Sequence, residues 1–326
     1  MFSVIIPLYN KAPYIEKAIR SVAAQTCRDF ELIIIDDGST DIVAPQPPKG
    51  GVSITYDDIE ALIAGKGFLV RQSNVGVSAS RNRGVELAQY DYIAFLDADD
   101  WWAPTYLEEM KNLITQYPEA GIYGSSYYKV KNGKHIQANI GVPEGFQQGL
   151  INYFQVYAKT LWMPLWTGAT VIKKNVFHEN NGFKPTLKLG EDFDLWVRVA
   201  LKYPVAFLNK PLAYYNQDVE LDNRAVGARL YEKHEHMLFT QYDKALTDNS
   251  DFVFLLERLS LYSLIPYYIT NKNKAEVEML IDKINWSNHE FKYYIYYKFL
   301  SPNILKIWFD FLKFCSVLKK KIKRFT

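Results

Sequence analysis

Tyr90-Asp91-Tyr92-Ile93-Ala94-Phe95-Leu96-Asp97-Ala98-Asp99-Asp100-Trp101-Trp102 runs a short apolar strand straight into three carboxylates. Folding alone has no use for three acids at the mouth of a strand. In an extended backbone, side chains two apart share a side, so Asp97 and Asp99 are expected to converge while Asp100 points elsewhere. Two close carboxylates repel unless a cation sits between them, and oxygen ligands favour Mg2+ or Mn2+. A divalent ion there implies a phosphate ligand. The competing reading is that Asp99 or Asp100 merely caps the helix that follows Pro104. An EF-hand is excluded, because Trp102 stands where that loop needs glycine.

Working outward, Phe2 to Pro7 and Phe30 to Ile35 are apolar runs of strand length, each ending in a polar cluster. Between them Ile15, Ala18, Ile19, Val22 and Ala23 recur with the helical period over 12–24. Strand, helix and strand in about forty residues make a right-handed parallel βαβ unit. Phe68 to Val70 and Tyr92 to Leu96 read as further strands, with a helix over 78–88 between them and a short one over 56–64. The fold class is therefore α/β, with a mostly parallel sheet flanked by helices. Each strand is followed by a polar cluster: Tyr9-Asn10, Asp36-Asp37-Gly38-Ser39, Gln72-Ser73-Asn74 and the aspartates after Leu96. Ligands bind at that edge of an open parallel sheet. Taken alone, Asp37-Gly38-Ser39-Thr40-Asp41 also reads as a plain turn.

The motifs Val4-Ile5-Ile6-Pro7-Leu8-Tyr9-Asn10, Ile35 to Asp41, Asn74 to Gly84 (Asn-Val-Gly-Val-Ser-Ala-Ser-Arg-Asn-Arg-Gly) and Phe95 to Asp100 resemble, in order and spacing, those of family-2 inverting glycosyltransferases with the GT-A fold. The likeness covers residues 1–218, a nucleotide-binding half (1–100) and an acceptor half (101–218), with a helical region over 219–326. It implies a nucleotide-sugar donor, usually a UDP-sugar, and a divalent metal on the diphosphate. By motif position, Pro7, Tyr9 and Asp37 would frame the base, with Asn10 and Asp36 in the same pocket. Asp97 would reach the ribose or the metal, and Asp99 would be the main metal ligand. Asn74, Arg81 and Asn82 would complete the nucleotide and sugar side. The stretch 44–51, rich in proline and glycine, departs from the family's helix after Asp41.

From Gly121 the sequence turns to short strands, 122–130 and 161–172, and to aromatic residues. Flat rings suit sugar C–H bonds, which makes Trp101, Trp102, Trp162 and Trp166 candidate acceptor contacts, although most tryptophans serve the core. Glu191 and Asp192 open a helix whose Leu195, Trp196, Val199 and Ala200 share one face. Acids complement a helix N-terminus in any protein. Here one can also take the proton of an acceptor hydroxyl. The family places its general base at this motif, which implies Asp192 as base with Glu191 orienting the acceptor. The Gln-x-x-Arg-Trp segment of processive members does not follow, so transfer of single residues is expected. His234 and His236 are two apart and do not suggest a shared metal.

With 326 residues, 37.8 kDa and 48% hydrophobic residues, the chain can bury a substantial core. A formal net charge of +2 argues against a nucleic-acid partner. Cys27 and Cys315 have no metal spacing and suggest free thiols in a reducing compartment. No signal peptide or membrane span is legible, so a cytoplasmic protein with at most peripheral membrane contact is expected. That contact is expected through 302–326, where Ile304, Leu305, Trp308, Phe311, Leu312, Cys315 and Leu318 form an apolar stripe ahead of Lys319-Lys320-Lys321-Ile322-Lys323-Arg324. The same stripe could equally pack on protein. A lipid-linked sugar acceptor in surface polysaccharide or glycolipid assembly would suit membrane attachment. Two rivals remain: a sugar-1-phosphate nucleotidyltransferase, for which Pro7-Leu8-Tyr9-Asn10-Lys11 lacks the phosphate-loop glycines, and a nucleotide-sugar-binding scaffold without turnover.

Overall fold

The computed structural model describes residues 2–42, 54–219, 230–240 and 248–322, with side chains only through 312. The stretch 44–51 therefore lies outside the described residues. The chain divides into two compact units, 1–227 and 228–326.

In the first unit, among the described residues, ten strands form one sheet of order β3-β2-β1-β4-β9-β6-β10-β5. Strands β1 (Phe2–Leu8), β2 (Phe30–Asp36), β3 (Gly67–Arg71) and β4 (Tyr92–Phe95) are parallel, in register from Phe2↔Phe30 and Phe2↔Tyr92. Their crossovers are α1 (Ala12–Ala23), α2 (Tyr56–Ile63) and α3 (Val77–Leu87). Every residue of β1 is buried, as expected for a central parallel strand covered on both faces. Ile15, Ala18, Ile19 and Val22 of α1 pack on one side of the sheet with Val4, Ile6 and Leu8. On the other side α3 lies so close to β1 that a Cβ on Gly84 would fall 2.4 Å from Ile5. That contact fixes the height of α3, and with it Arg81, over the strand ends.

Beyond β4 the chain direction changes. β5 (Trp101–Trp102) and α4 (Tyr106–Gln116) precede β6 (Ile122–Lys131), which is followed by β7 (Lys134–Gln137), β8 (Gln148–Ile151) and α5 (Tyr153–Thr160). Then β9 (Thr170–Lys173) inserts antiparallel between β4 and β6. After α6 (Lys174–Glu179) and α7 (Glu191–Ala200), β10 (Val205–Asn216) runs parallel to β6. Only 170–173 of the expected strand over 161–172 is extended, because Thr167–Ala169 forms a turn of 3-10 helix. The second unit is helical from Ser250–Ser263 to Pro302–Ile322.

Candidate active site

The three aspartates do not lie on a strand. β4 ends at Phe95, and residues 97–100 make a turn closed by the Asp100 amide donating to the Asp97 carbonyl at 3.0 Å. Each carboxylate has its own partner, and Asp97 stays near enough to Asp99 for its charge to act on it. Asp97 Oδ1 accepts from Arg81 Nη2 at 2.7 Å, and Asp99 Oδ2 accepts from Lys11 Nζ at 2.6 Å. Asp100 is buried, and its Oδ1 accepts from the Asn216 amide at the end of β10 at 2.7 Å. Burial, then the neighbouring aspartate charges, pushes the Asp100 carboxyl well up, while its bond to the Asn216 amide ties β10 to the turn. Asp99 is also raised by burial, with Lys11 opposing and Asp97 reinforcing. None of these acids caps α4, whose N-cap is Thr105.

Arg81 joins the two halves of the site. Its guanidinium, almost wholly buried on α3, reaches Asp97 on one side and, through Nη1, Glu191 Oε1 at 3.1 Å on the other. Burial works against this charge, but Asp97 and Glu191 outweigh it and stabilise the cation. Asp192 follows Glu191 at the start of α7, where Gly190 adopts φ +78° to turn the chain. The Asp192 carboxylate accepts from the Phe193 amide at 2.7 Å and from the Thr167 hydroxyl at 3.1 Å. Burial and the Glu191 charge push its carboxyl up to about 7, against Arg81, the Phe193 amide and Thr167. Its charge in turn helps to raise the buried Tyr127 and Tyr157 hydroxyls, after burial itself. A carboxylate with that proton affinity is suited to accept a hydroxyl proton near neutral pH. The third acid of this helix, Asp194, is structural: fully buried, it pairs with Lys184 at 2.8 Å and Arg198 at 2.7 Å.

Several expected donor contacts carry the loops of the pocket. The buried Asp37 accepts from Gln72 Nε2 and from the amides of Val75 and Gly76, which locks the loop bearing the exposed Asn74 against β2. Asp36 accepts from the Ser39 amide and the Tyr56 hydroxyl. Asn10, at φ +49°, takes the Thr40 amide and so links the ends of β1 and β2. Pro7, which has no amide hydrogen, sits past the last β1–β4 pair, Ile5↔Phe95. Tyr9 stands exposed at the rim. Asn82 is a correction: its amide brackets the Phe183 backbone, donating to the carbonyl at 2.8 Å and accepting from the amide at 2.9 Å. It therefore anchors the loop before α7 and is committed to protein.

The tryptophans are largely engaged by protein groups. Trp102 is 3% exposed, donates from Nε1 to the Gly168 carbonyl and stacks on Tyr106 at 4.2 Å. Trp101 has Lys17 Nζ 2.9 Å above one face and Tyr214 stacked on the other at 5.4 Å. Neither ring has a face left for a sugar. Trp166 is largely buried between Tyr127 and Tyr215, and the half-buried Trp162 carries Lys129 over one face. His236 is a core residue of the second unit: burial pushes its imidazole down to about 4, and Nδ1 accepts from the Leu238 amide.

Two participants were missed by sequence reasoning. Lys11 follows β1 by three positions and meets Asp99 across 88 residues; a lysine beside a strand end that faces acids was the available signal. Thr167 arrives because β9 is antiparallel, which brings the start of that strand, with the segment before it, to the edge where β4 ends. Replacing Thr167 with Val should move the acid limb of the pH–rate profile upward by about one unit, the equivalent of one hydrogen bond to a charged group. Thr167→Ser should restore it, whereas a profile unmoved by Val would show that the hydroxyl does not act on Asp192.

Donor chemistry at the aspartates is oxygen only, as a hard cation requires, and Asp99, raised by burial and by Asp97, gains from added positive charge. Among the described residues no cluster of three or more His, Cys, Asp or Glu is placed to hold a metal. A divalent ion at Asp97 and Asp99 would therefore have to take most of its shell from a ligand's phosphates and from water, the usual habit of Mg2+.

An α/β sheet of GT-A type with acids at its carboxyl edge defines a class that the comparisons make specific. The profile described as glycosyltransferase like family 2 matches residues 3–232, and the chain belongs to that family. An uncharacterized glycosyltransferase of Rickettsia felis is 34% identical over 223 residues, 65% of this chain and 32% of that protein. Glycosyltransferase GlyA of Streptococcus pneumoniae is 32% identical over 269 residues, 80% of this chain and 36% of its own length. The chain thus spans about a third of the length of these two relatives. The amylovoran biosynthesis glycosyltransferase AmsB of Erwinia amylovora is 27% identical over 69% of this chain and 73% of its own. Staphylococcus aureus TarS, solved with UDP-GlcNAc, shares the fold at TM-score 0.64 and 18% identity, covering 86% of this chain and 79% of that one.

Proposed function

We propose that this chain is a metal-dependent inverting glycosyltransferase that moves a sugar from a UDP-sugar to an acceptor hydroxyl during surface polysaccharide or glycolipid assembly, at the cytoplasmic face of a membrane. The observation that carries the proposal is the ionic chain Asp97–Arg81–Glu191, which holds the acids of the donor side and the helix bearing Asp192 at one mouth. The glycosyltransferase relatives and the UDP-GlcNAc complex of TarS support the donor class.

Asp97 and Asp99 would hold a Mg2+ or Mn2+ ion, which when bound supplies positive charge to the leaving diphosphate. Lys11 and Arg81 orient those two carboxylates. Asp192 takes the proton of the acceptor hydroxyl as its oxygen bonds to the anomeric carbon, while the bond from that carbon to the diphosphate oxygen breaks on the opposite face. Attack from the face opposite the leaving diphosphate inverts the configuration. The Phe193 amide and the Thr167 hydroxyl hold Asp192 in place for this transfer.

Incubation with a panel of nucleotide-sugars should release UDP with Mn2+ and not with EDTA, and nuclear magnetic resonance of the product should show the inverted anomer. Retention of configuration, or nucleotide binding without release, would overturn the reading; the second result would favour a silent scaffold. Because the ion would rest on two carboxylates, Asp97 and Asp99, Mn2+ alone should raise the melting temperature little, and UDP with Mn2+ much more than either alone. An equal shift from the metal alone would place the cation site elsewhere.

A further inference from the structure

The helix Pro302–Ile322 is amphipathic in an unusual sense. Its inner side is accounted for: Leu305 is fully buried and Phe309 packs on Tyr296 at 5.7 Å between ring centres. Yet Ile304, Ile307, Trp308, Phe311 and Leu312 all remain exposed, Ile307 to 69%. Their spacing, i, i+3, i+4, i+7, i+8, places them on one continuous stripe. Monomeric proteins seldom leave so many large apolar groups together in water without a partner.

Charge identifies the partner. Residues 302–326 carry seven Lys and Arg against one acid, Asp310, and most of the bases follow Leu318. A second copy of the helix would bring like charges together. A surface of anionic lipid offers hydrocarbon for the stripe and negative headgroups for the bases at once. Trp308 and Phe311, whose rings lie 6.4 Å apart, are the side-chain types that settle at the hydrocarbon–headgroup boundary. No helix among the described residues is long and apolar enough to cross a membrane, so this helix would lie in the interface plane.

We infer that the stripe of Pro302–Ile322 is a docking surface for an anionic lipid bilayer, with the following basic run as its electrostatic clamp. The inference is independent of the transfer chemistry, although it would bring the enzyme to a lipid-linked acceptor.

The test is flotation of the full chain with vesicles of phosphatidylcholine alone or with phosphatidylglycerol added, alongside UDP release from donor. Binding is expected only to the anionic vesicles and should weaken at high salt. The double variant Trp308→Glu, Phe311→Glu should lose at least tenfold in vesicle binding while UDP release and melting temperature are unchanged. Wild-type flotation by that variant, binding to neither vesicle, or a concentration-dependent dimer that the variant abolishes would each overturn the inference; the last would assign the stripe to a second copy. Failure of UDP release with intact flotation would count against the proposed chemistry alone.

Discussion

Asp192→Asn should reduce sugar transfer about 10²–10⁴-fold, the usual contribution of a general base, while leaving nucleotide affinity nearly unchanged. The amide keeps the size of the carboxylate: its Oδ1 can still accept from the Phe193 amide, and its Nδ2, now facing the Thr167 hydroxyl, can donate to that oxygen, but the group cannot take a proton. The wild-type rate should rise with pH through about 7, since only the deprotonated carboxylate is competent. Stability should show the opposite trend. The folded protein raises this group from 3.8 to about 7, so the native state holds a proton that the unfolded chain releases. The stabilisation is present at low pH and is lost as pH rises through that window. Asp192→Asn should therefore melt higher than wild type at pH 8, with no such advantage at pH 4. An asparagine variant with full activity would move the base to another residue, and Glu191→Gln would be the next variant to measure.

Arg81→Met should be the most destabilising single change at the site. It leaves Asp97 and Glu191 facing each other without their shared cation in a largely enclosed place. Removing one member of a buried ionic group costs about 3–5 kcal/mol, and the partial exposure of the two acids favours the lower end. A loss of about 3 kcal/mol corresponds to a melting temperature lower by about 6 °C or more. Activity should fall with it, because the guanidinium also aligns the two sides of the mouth. Arg81→Lys keeps the charge but cannot reach two carboxylates in a fork, so it should recover part of the stability and little of the activity. Calorimetry that finds Arg81→Met as stable as wild type would mean that the ionic chain is not a structural element.

The parallel half of the sheet was legible because buried parallel strands are written as unbroken apolar runs and their crossover helices as a period of 3.6. β1, β2 and β4 fall within a residue or two of the expected bounds. The acids at the strand ends were legible for the same reason, since a carboxylate after such a run has no role in the core. Their partners were not. Asp99 with Lys11 and Asp100 with Asn216 join residues 88 and 116 apart, and no local pattern encodes such meetings. Thr167 was hidden by the antiparallel direction of β9, because attention to the carboxyl ends of strands overlooks an amino end at the same edge. Asn82 and Trp102 show the converse limit. An amide or an indole matches a motif by type alone, and only the fold reveals that backbone groups have already taken its hydrogen bonds.

The reversed entry of β9 has a practical consequence for engineering. Between β6 and β9 the chain makes a detour, Lys134 to Thr160, whose strands pair only with β6 and β10. Loops there can be lengthened or exchanged without altering the register of β1, β2 and β4. A library confined to the loops of that detour should leave nucleotide affinity unchanged.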